Sequence, residues 1–212
     1  MVTKVQIADT ATIERARSGD SEAMAELWRI YQPQILRFLR AKRSPCVDDV
    51  ASQVWIDAGR GLHRFSGDGV GMQRWLFTIA NCRSIDEIRR VARRRQAVDD
   101  GLSDQWKKGH LDEIDEFDGV ERAVALLRQL PQRTSEAVTL RVVFDLSVAD
   151  TASILGCTEG NVRVLVHRGL NRLRELVVDD GRPTVTARRS DAVGPGGHLT
   201  IAAAVGGFSP EL

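Results

Sequence analysis

Apolar residues recur every three or four positions through most of the first hundred residues, and again from about residue 120 to residue 178. This spacing is the period of an amphipathic helix. Between the two periodic regions, glycines interrupt a polar and acidic stretch over residues 96–118, which is typical of a linker. The pattern predicts an all-α protein with two small helical domains joined by a flexible linker.

The composition divides the chain into four segments. We expect a first helical domain over residues 1–95, the linker over 96–118 and a second helical domain over 119–180. From residue 181 to residue 212 the sequence is rich in glycine, alanine and proline, and such a composition predicts a disordered tail.

The strongest local signal lies in the second domain. A helix is predicted over residues 132–143, and Ser147 with Asp150 forms a capping box before a short helix. Gly156 supplies the left-handed conformation of a tight corner, and Thr158 caps a third helix. Two helices across such a corner are typical of a helix-turn-helix, whose second helix enters the major groove. The outward candidates for DNA contact are Thr158, Glu159, Asn161, Arg163, His167 and Arg168. A structural hairpin with a solvated cationic face is the alternative.

The first domain is predicted to contain four helices. Two lie within residues 10–40, and a third, over residues 47–62, carries Asp48 and Asp49 in its first turn, where carboxylates suit the helix dipole. A flexible connection is expected over Phe65–Met72. A fourth helix follows from Trp75 to Arg95, and its predicted core side is Trp75, Ile79, Cys82, Ile85 and Ile88.

The end of the fourth helix is densely basic. The arginines are Arg89, Arg90, Arg93, Arg94 and Arg95. Nucleic-acid phosphates are the natural counter-charge for such a cluster. A solvated helix end, with cations favoured by the helix dipole, is the alternative.

The composition excludes several further classes of protein. The formal net charge is only +1, so local patches carry the information. Three scattered cysteines and four scattered histidines predict no metal site and no disulfide framework, which suits a reducing cytoplasm. We expect no signal peptide, no membrane span and no cofactor. No convergent catalytic set is evident, so an enzyme with an attached helix-turn-helix is disfavoured.

Four stretches of the chain resemble the extracytoplasmic-function (ECF) family of RNA polymerase sigma factors. Residues 126–176 resemble the family's C-terminal domain, and the opening helices resemble its N-terminal domain through GDSEAMAELWRIYQPQILRFLR. The third helix has DDVASQVW where the family usually has a string like EDLVQEVF. Trp75 begins WLFTIA, which resembles the family's W-L-hydrophobic-x-I-A motif.

The resemblance implies a function and its residues. Core RNA polymerase would dock on Asp48, Asp49, Val50, Gln53 and Val54. The downstream promoter element and strand opening would involve Trp75, Asn81, Arg89, Arg90, Arg93 and Arg94, with a flipped base received beside the Trp. The helix-turn-helix would bind the upstream element. Promoter DNA and core polymerase are the implied partners, and an anti-sigma protein is a candidate partner. A helix-turn-helix regulator that acts without stable polymerase association is the alternative function.

Overall fold

The computed structural model describes residues 5–98 and 125–179. These residues form helices and their connections, without a strand, so the all-α prediction is confirmed for this part of the chain. The predicted tail lies outside the described residues. So do most of the predicted linker and the start of the second helical domain expected after it.

The first domain consists of four helices. Helix α1 spans Thr10–Arg17, α2 spans Ser21–Ala41, α3 spans Val47–Gly61 and α4 spans Gly69–Val98. A short 3-10 turn, Leu62–Arg64, follows α3. All four helices were predicted, because their apolar spacing and starting residues are local signals.

Helix α4 begins earlier than the sequence predicted. Part of the expected flexible connection is helical, since Asp68 starts the helix and its Oδ1 accepts a hydrogen bond of 2.8 Å from the amide of Gly71. A Cβ at Gly69 would collide with the carbonyl oxygen of Ala8. The glycine therefore permits the N-terminal segment to approach the helix closely, and flexibility is not its role.

The second domain has a helical segment at residues 125–128 followed by three helices. Helix α5 spans Gln132–Val138 and continues into a π-helical turn, Thr139–Val143. Helix α6 spans Val148–Leu155 and α7 spans Glu159–Asp179.

The corner between α6 and α7 has the predicted chemistry. The amide of Asp150 donates to Ser147 Oγ at 3.0 Å, and the Ser147 hydroxyl donates to Asp150 Oδ2 at 2.7 Å. Gly156 ends α6 with φ 62°. Thr158 Oγ1 accepts from the amide of Asn161 at 3.2 Å. The predicted helix-turn-helix is confirmed, because each of these signals acts over only three or four residues.

The two domains pack directly on each other. The ring of Phe77 on α4 lies 5.3 Å from that of Phe38 and 4.7 Å from that of Phe144 in the second domain. One buried cluster contains apolar side chains of both domains, and its members from the second domain are Ala137, Leu140, Phe144, Leu146, Ile154 and Leu155. The sequence did not predict this contact between the domains.

The predicted core side of α4 is correct only for Trp75 and Ile79, which pack half-buried against the core. Cys82 is exposed and Ile88 is 38% exposed, whereas Trp75, Ile79 and Ile85 are half-buried. The buried side chains of the helix are Met72, Gln73, Leu76, Phe77, Ala80, Asn81 and Ser84. Helix α4 is covered on two sides, by its own domain and by the second domain. It therefore buries polar residues that a pattern with a single apolar face would place in water.

Gly169 lets α7 cross α5 closely. A Cβ at Gly169 would lie 2.5 Å from Val138 Cγ2 and 2.8 Å from Thr134 Cγ2. We expect Gly169→Val to lower the free energy of unfolding by about 1–3 kcal/mol through overpacking. Urea unfolding, monitored by circular dichroism, measures this free energy of unfolding. Gly160→Ala, in the same helix and with no atom within 4 Å of the new Cβ, is the control and should be neutral or stabilising by up to about 1 kcal/mol. Equal stability of the two variants would contradict this packing.

Candidate nucleic-acid interface

The outward face of α7 carries the predicted polar side chains. Val162 is fully buried and fixes the helix on the second domain. The side chains that the sequence singled out are exposed: Thr158, Glu159, Asn161, Arg163, His167 and Arg168. Because they lie on the exposed arc of a helix that Val162 holds on the second domain, this arc can enter a groove of duplex DNA without moving the core.

Two pairs orient side chains on this face. Arg163 Nη2 lies 2.7 Å from Glu159 Oε2, one helical turn away. His167 Nε2 lies 3.5 Å from Asn171 Nδ2. Both pairs are exposed, so they align the side chains more than they stabilise the helix. A base or phosphate that binds Arg163 must share the guanidinium with Glu159.

The basic end of α4 is exposed and partly paired within the helix. Arg89 Nη1 lies 3.9 Å from Asp86 Oδ1, and Arg90 Nε lies 2.7 Å from Glu87 Oε2. The hydrogen bond with Glu87 raises the pKa of Arg90. Arg93 and Arg94 are also exposed, as we expected of a surface that meets phosphates.

An open cavity of about 390 Å³ lies between the end of α3 and the start of α4. It is lined by Gly61, Arg64, Phe65, Ser66 and Trp75. The Phe65 and Trp75 rings are stacked, with centroids 5.2 Å apart. Sequence reasoning found Trp75 but missed Arg64 and Gly61. A cationic side chain beside stacked rings is suited to binding a nucleobase.

Trp75 and the basic end share one face of α4. At about 100° per residue, Arg89 and Arg93 lie within roughly 40° of Trp75 around the helix axis. Asn81 lies roughly 120° away by the same count. The cavity and the arginines therefore form one continuous candidate surface, and Asn81 is not on it.

The expected contact of Asn81 with DNA does not fit this geometry. Asn81 is 6% exposed, and its Nδ2 donates to the carbonyl oxygen of Ile154 in α6 at 2.7 Å. The resemblance suggested Asn81 because it is next to position 82, where the family usually has Asn. A shift of one residue turns a side chain by about 100°, and this shift directs Asn81 into the second domain.

Only part of the expected docking face is exposed. Asp48 and Asp49 are exposed in the first turn of α3, and Gln53 is half-buried. Val50 and Val54 are 4% and 0% exposed, so their placement on an exposed surface is wrong. They belong to the core stripe of α3, because they lie four residues apart and pack inside the first domain.

Comparison with known proteins identifies the family. The profile of Sigma-70 region 2 matches residues 27–95, and that of Sigma-70 region 4 matches residues 121–173. The chain is 34% identical over 179 residues to the ECF RNA polymerase sigma factor SigD of Mycobacterium tuberculosis, covering 81% of this chain and 84% of that protein. The chain belongs to the ECF sigma factor family.

Further relatives agree with this assignment. The ECF sigma factor ShbA of Streptomyces griseus is 30% identical over 182 residues, covering 78% of this chain and 93% of that protein. The sigma factor RpoE of Bartonella quintana, solved in complex with the anti-sigma factor NepR, has the same fold. Its TM-score is 0.56 at 24% identity, covering 75% of this chain and 98% of that one.

This protein is an alternative sigma factor, which binds core RNA polymerase and directs promoter-specific transcription initiation. The alternative function, a helix-turn-helix regulator that acts without polymerase, does not explain the first domain. The match of residues 27–95 to Sigma-70 region 2 does explain it. No helix within residues 5–98 and 125–179 is long and apolar enough to cross a bilayer. Nor do the described residues bring together three or more side chains that would hold a metal ion.

The cavity beside Trp75 generates a prediction for this sigma factor. A Cβ at Gly61 would lie 2.9 Å from Trp75 Cζ2 and would displace the ring. Stacking on an aromatic ring contributes about 1–3 kcal/mol per base. We expect Gly61→Ala to weaken binding of a mixed-sequence single-stranded oligodeoxynucleotide to the complex with core polymerase by about fivefold, or roughly 1 kcal/mol.

Fluorescence anisotropy of the labelled oligonucleotide measures this change. The matched control is Gly59→Ala in the same helix, whose new Cβ would meet only Met24 Cε at 4.0 Å. An equal affinity for Gly61→Ala and Gly59→Ala would show that the position of the Trp75 ring does not matter for strand binding.

Proposed function

We propose that this sigma factor divides promoter recognition between its two domains. The exposed face of α7 binds the upstream element as a duplex. The cavity beside Trp75 and the basic end of α4 bind the downstream element as a separated strand. The downstream element is assigned to the domain expected at residues 1–95, and the upstream element to the domain expected at residues 119–180. The proposal rests on the observation that the two surfaces differ in chemistry.

The surface on α7 suits duplex DNA. It combines Arg163 and Arg168, which lie about 140° apart around the helix axis, with the shorter polar side chains of Thr158 and Asn161 on the exposed arc of α7. Arginine pairs bidentately with guanine in the major groove, whereas contacts to phosphate carry no sequence information. The proposed contacts on this face include no Phe, Tyr or Trp side chain, and the imidazole of His167 is paired with Asn171, so the face offers no pair of stacked rings for an unstacked base.

The surface on α4 suits a single strand. The stacked rings of Phe65 and Trp75 offer a face for a base, and Arg89 and Arg93 continue the same side of the helix. Flipping a base out of a duplex costs a few kcal/mol, which stacking and phosphate contacts offset. Strand opening would thus be driven by binding. The chemistry of RNA synthesis belongs to the polymerase, so we infer that this chain is not itself an enzyme.

The acidic start of α3 is the proposed docking site for core polymerase. Asp48 and Asp49 are exposed side by side, and an acidic patch steers association with a basic partner surface. Gln53 lies one turn further along the same helix and donates to Asp57 at 3.4 Å, so it contributes at the edge of the patch. Val50 and Val54 support this patch from inside the domain.

An anti-sigma protein is a further proposed partner. RpoE of Bartonella quintana, which shares the fold, was solved with the anti-sigma factor NepR. We infer that a protein of that class also controls this chain, and that both act in the cytoplasm with the polymerase.

The division of labour predicts opposite effects of two arginine changes. Arg163→Ala should weaken binding to the upstream element by about 1–3 kcal/mol, the contribution of one good base contact. Arg93→Ala with Arg94→Ala should reduce strand opening and the salt dependence of binding. The test is open-complex formation by reconstituted core polymerase on promoters altered separately in each element, with salt varied. Arg17→Ala, an exposed arginine of α1, is the control. An equal effect of Arg163→Ala on both elements would refute the proposal.

The docking site predicts a loss of polymerase binding. We expect Asp48→Arg with Asp49→Arg to lower the affinity for core polymerase at least about tenfold, or 1.4 kcal/mol, by reversing the charge of the patch. Helical content should not change, because both side chains are exposed. Co-elution with core polymerase in gel filtration measures the affinity, and Glu14→Arg with Glu22→Arg, at exposed carboxylates of α1 and α2, is the control with the same change of charge. Parental binding by the double variant would place the docking site elsewhere.

A further inference from the structure

Helix α7 carries an apolar side chain on its most outward side. Val164 is 45% exposed. It lies about 160° around the helix axis from Val162, which is fully buried in the second domain. The two residues that follow it, Leu165 and Val166, are half-buried and pack against the core. The helix is thus held by the side that carries Val162, and Val164 points away from that side.

The side chains around Val164 are polar candidates for DNA contact. Arg168 lies about 40° from Val164 around the helix axis, and Asn161 and His167 lie about 60° to either side of it. All three are exposed. Val164 therefore occupies the middle of the arc that would face the groove, although the proposed DNA contacts do not include it.

The surface beside Val164 is open towards the start of the helix. Gly160 lies one turn earlier, about 40° from Val164 around the axis, and a Cβ placed there would meet no atom within 4 Å. A backbone without a side chain allows another molecule to approach closely. The ion pair with Glu159, at 2.7 Å, draws the Arg163 guanidinium towards the far flank of the helix. Val164 is thus accessible to a base edge.

An exposed valine adds little to the stability of this helix. Its β-branched side chain has a lower helix propensity than alanine or leucine, and here it is not buried against the core. Single exposed apolar residues are common on protein surfaces, so exposure alone assigns no role. The position of Val164 does, because the neighbouring Asn161, His167 and Arg168 can hydrogen-bond to base edges, whereas Val164 offers only apolar contact.

The major groove presents one prominent apolar group, the C5-methyl group of thymine. The other three bases present hydrogen-bond donors or acceptors there instead. Contact between this methyl group and a valine side chain removes apolar surface of both from water, which is favourable. The flanking side chains suit other bases, since asparagine pairs with adenine and arginine with guanine.

We propose that Val164 reads a thymine of the upstream promoter element through the C5-methyl group of that base. The inference rests on the proposed function, in which α7 binds the upstream element as a duplex, and it adds the residue that selects thymine. Asn161, three residues before Val164, and Arg168, four residues after it, set the register through hydrogen bonds. Val164 then distinguishes thymine from cytosine, which has no methyl group to contact it.

Replacement of thymine by deoxyuridine tests this contact, because it removes the methyl group and retains the base pair. The probe is a duplex promoter whose upstream element is selected from a randomised library by core polymerase with the parent chain. Each selected thymine, on either strand, is replaced in turn, and the affinity of the complex is measured by competition. We expect one position at which deoxyuridine weakens binding about fourfold, or roughly 0.8 kcal/mol, as for one buried carbon group.

Variants of the side chain assign this effect to Val164. Val164→Ser removes both methyl groups and should abolish the difference between thymine and deoxyuridine at that position, whereas Val164→Thr retains one methyl group and should retain part of it. Val70→Ser is the matched control, because Val70 is a valine of α4 with a similar exposure of 46%, and it should keep the parental difference. Arg163→Ala should weaken binding to both probes alike.

Circular dichroism verifies that each variant is folded, and replacement of an exposed side chain should change stability little. Deoxyuridine that weakens the parent and Val164→Ser equally, or that has no effect at any selected position, would overturn the role of Val164 and leave binding of the upstream element intact. Selection of an element without an A·T pair would do the same. A parent that selects no upstream element with core polymerase would overturn the proposed function, and the thymine contact with it.

Discussion

The Phe77 ring contacts an aromatic ring of each domain, and the burial of α4 depends on this double contact. Phe38 covers it from the first domain and Phe144 from the second. Aromatic pairs at such distances contribute about 0.5–1.5 kcal/mol beyond their buried area. Because this side of the helix is used for packing, the side that carries Trp75 and the arginines stays accessible. The same constraint explains why Asn81 is turned away from the candidate strand surface.

The polar part of the interface determines which arrangement the domains adopt. A purely apolar contact could slide, whereas the Lys42–Glu136 pair and the Asn81 amide each require one register. Polar groups buried in this way add specificity at little net gain in stability.

Local features of the fold were predictable from the sequence, because their causes lie within a few residues. Ser147, Asp150, Gly156 and Thr158 specify the corner of the helix-turn-helix through backbone hydrogen bonds and one left-handed residue. The exposed residues of α7 followed from the same pattern. Helical periodicity also placed α3, and the apolar spacing of Val50 and Val54 already indicated a core stripe. The family resemblance led to their assignment to the surface.

Features that arise from contacts between distant segments were not predictable. Asn81 is polar, and it is buried where it meets Ile154, a residue of the second domain far along the chain. The cavity beside Trp75 depends on Gly61 approaching the ring across two helices. An amphipathic pattern describes one helix against one core, so it gives no sign of a helix covered from both sides.

The distance between the two domains, measured before and after promoter engagement, tests this account most directly. Fluorescent labels at the exposed positions 14 of α1 and 172 of α7, in a chain whose cysteines are replaced, report that distance by single-molecule energy transfer. We expect one short-distance population in the free protein and a long-distance population in the complex with core polymerase and promoter DNA. A broad distribution in the free protein would contradict the packed arrangement of the two domains, and an unchanged short distance in the complex would contradict separate binding of the two promoter elements.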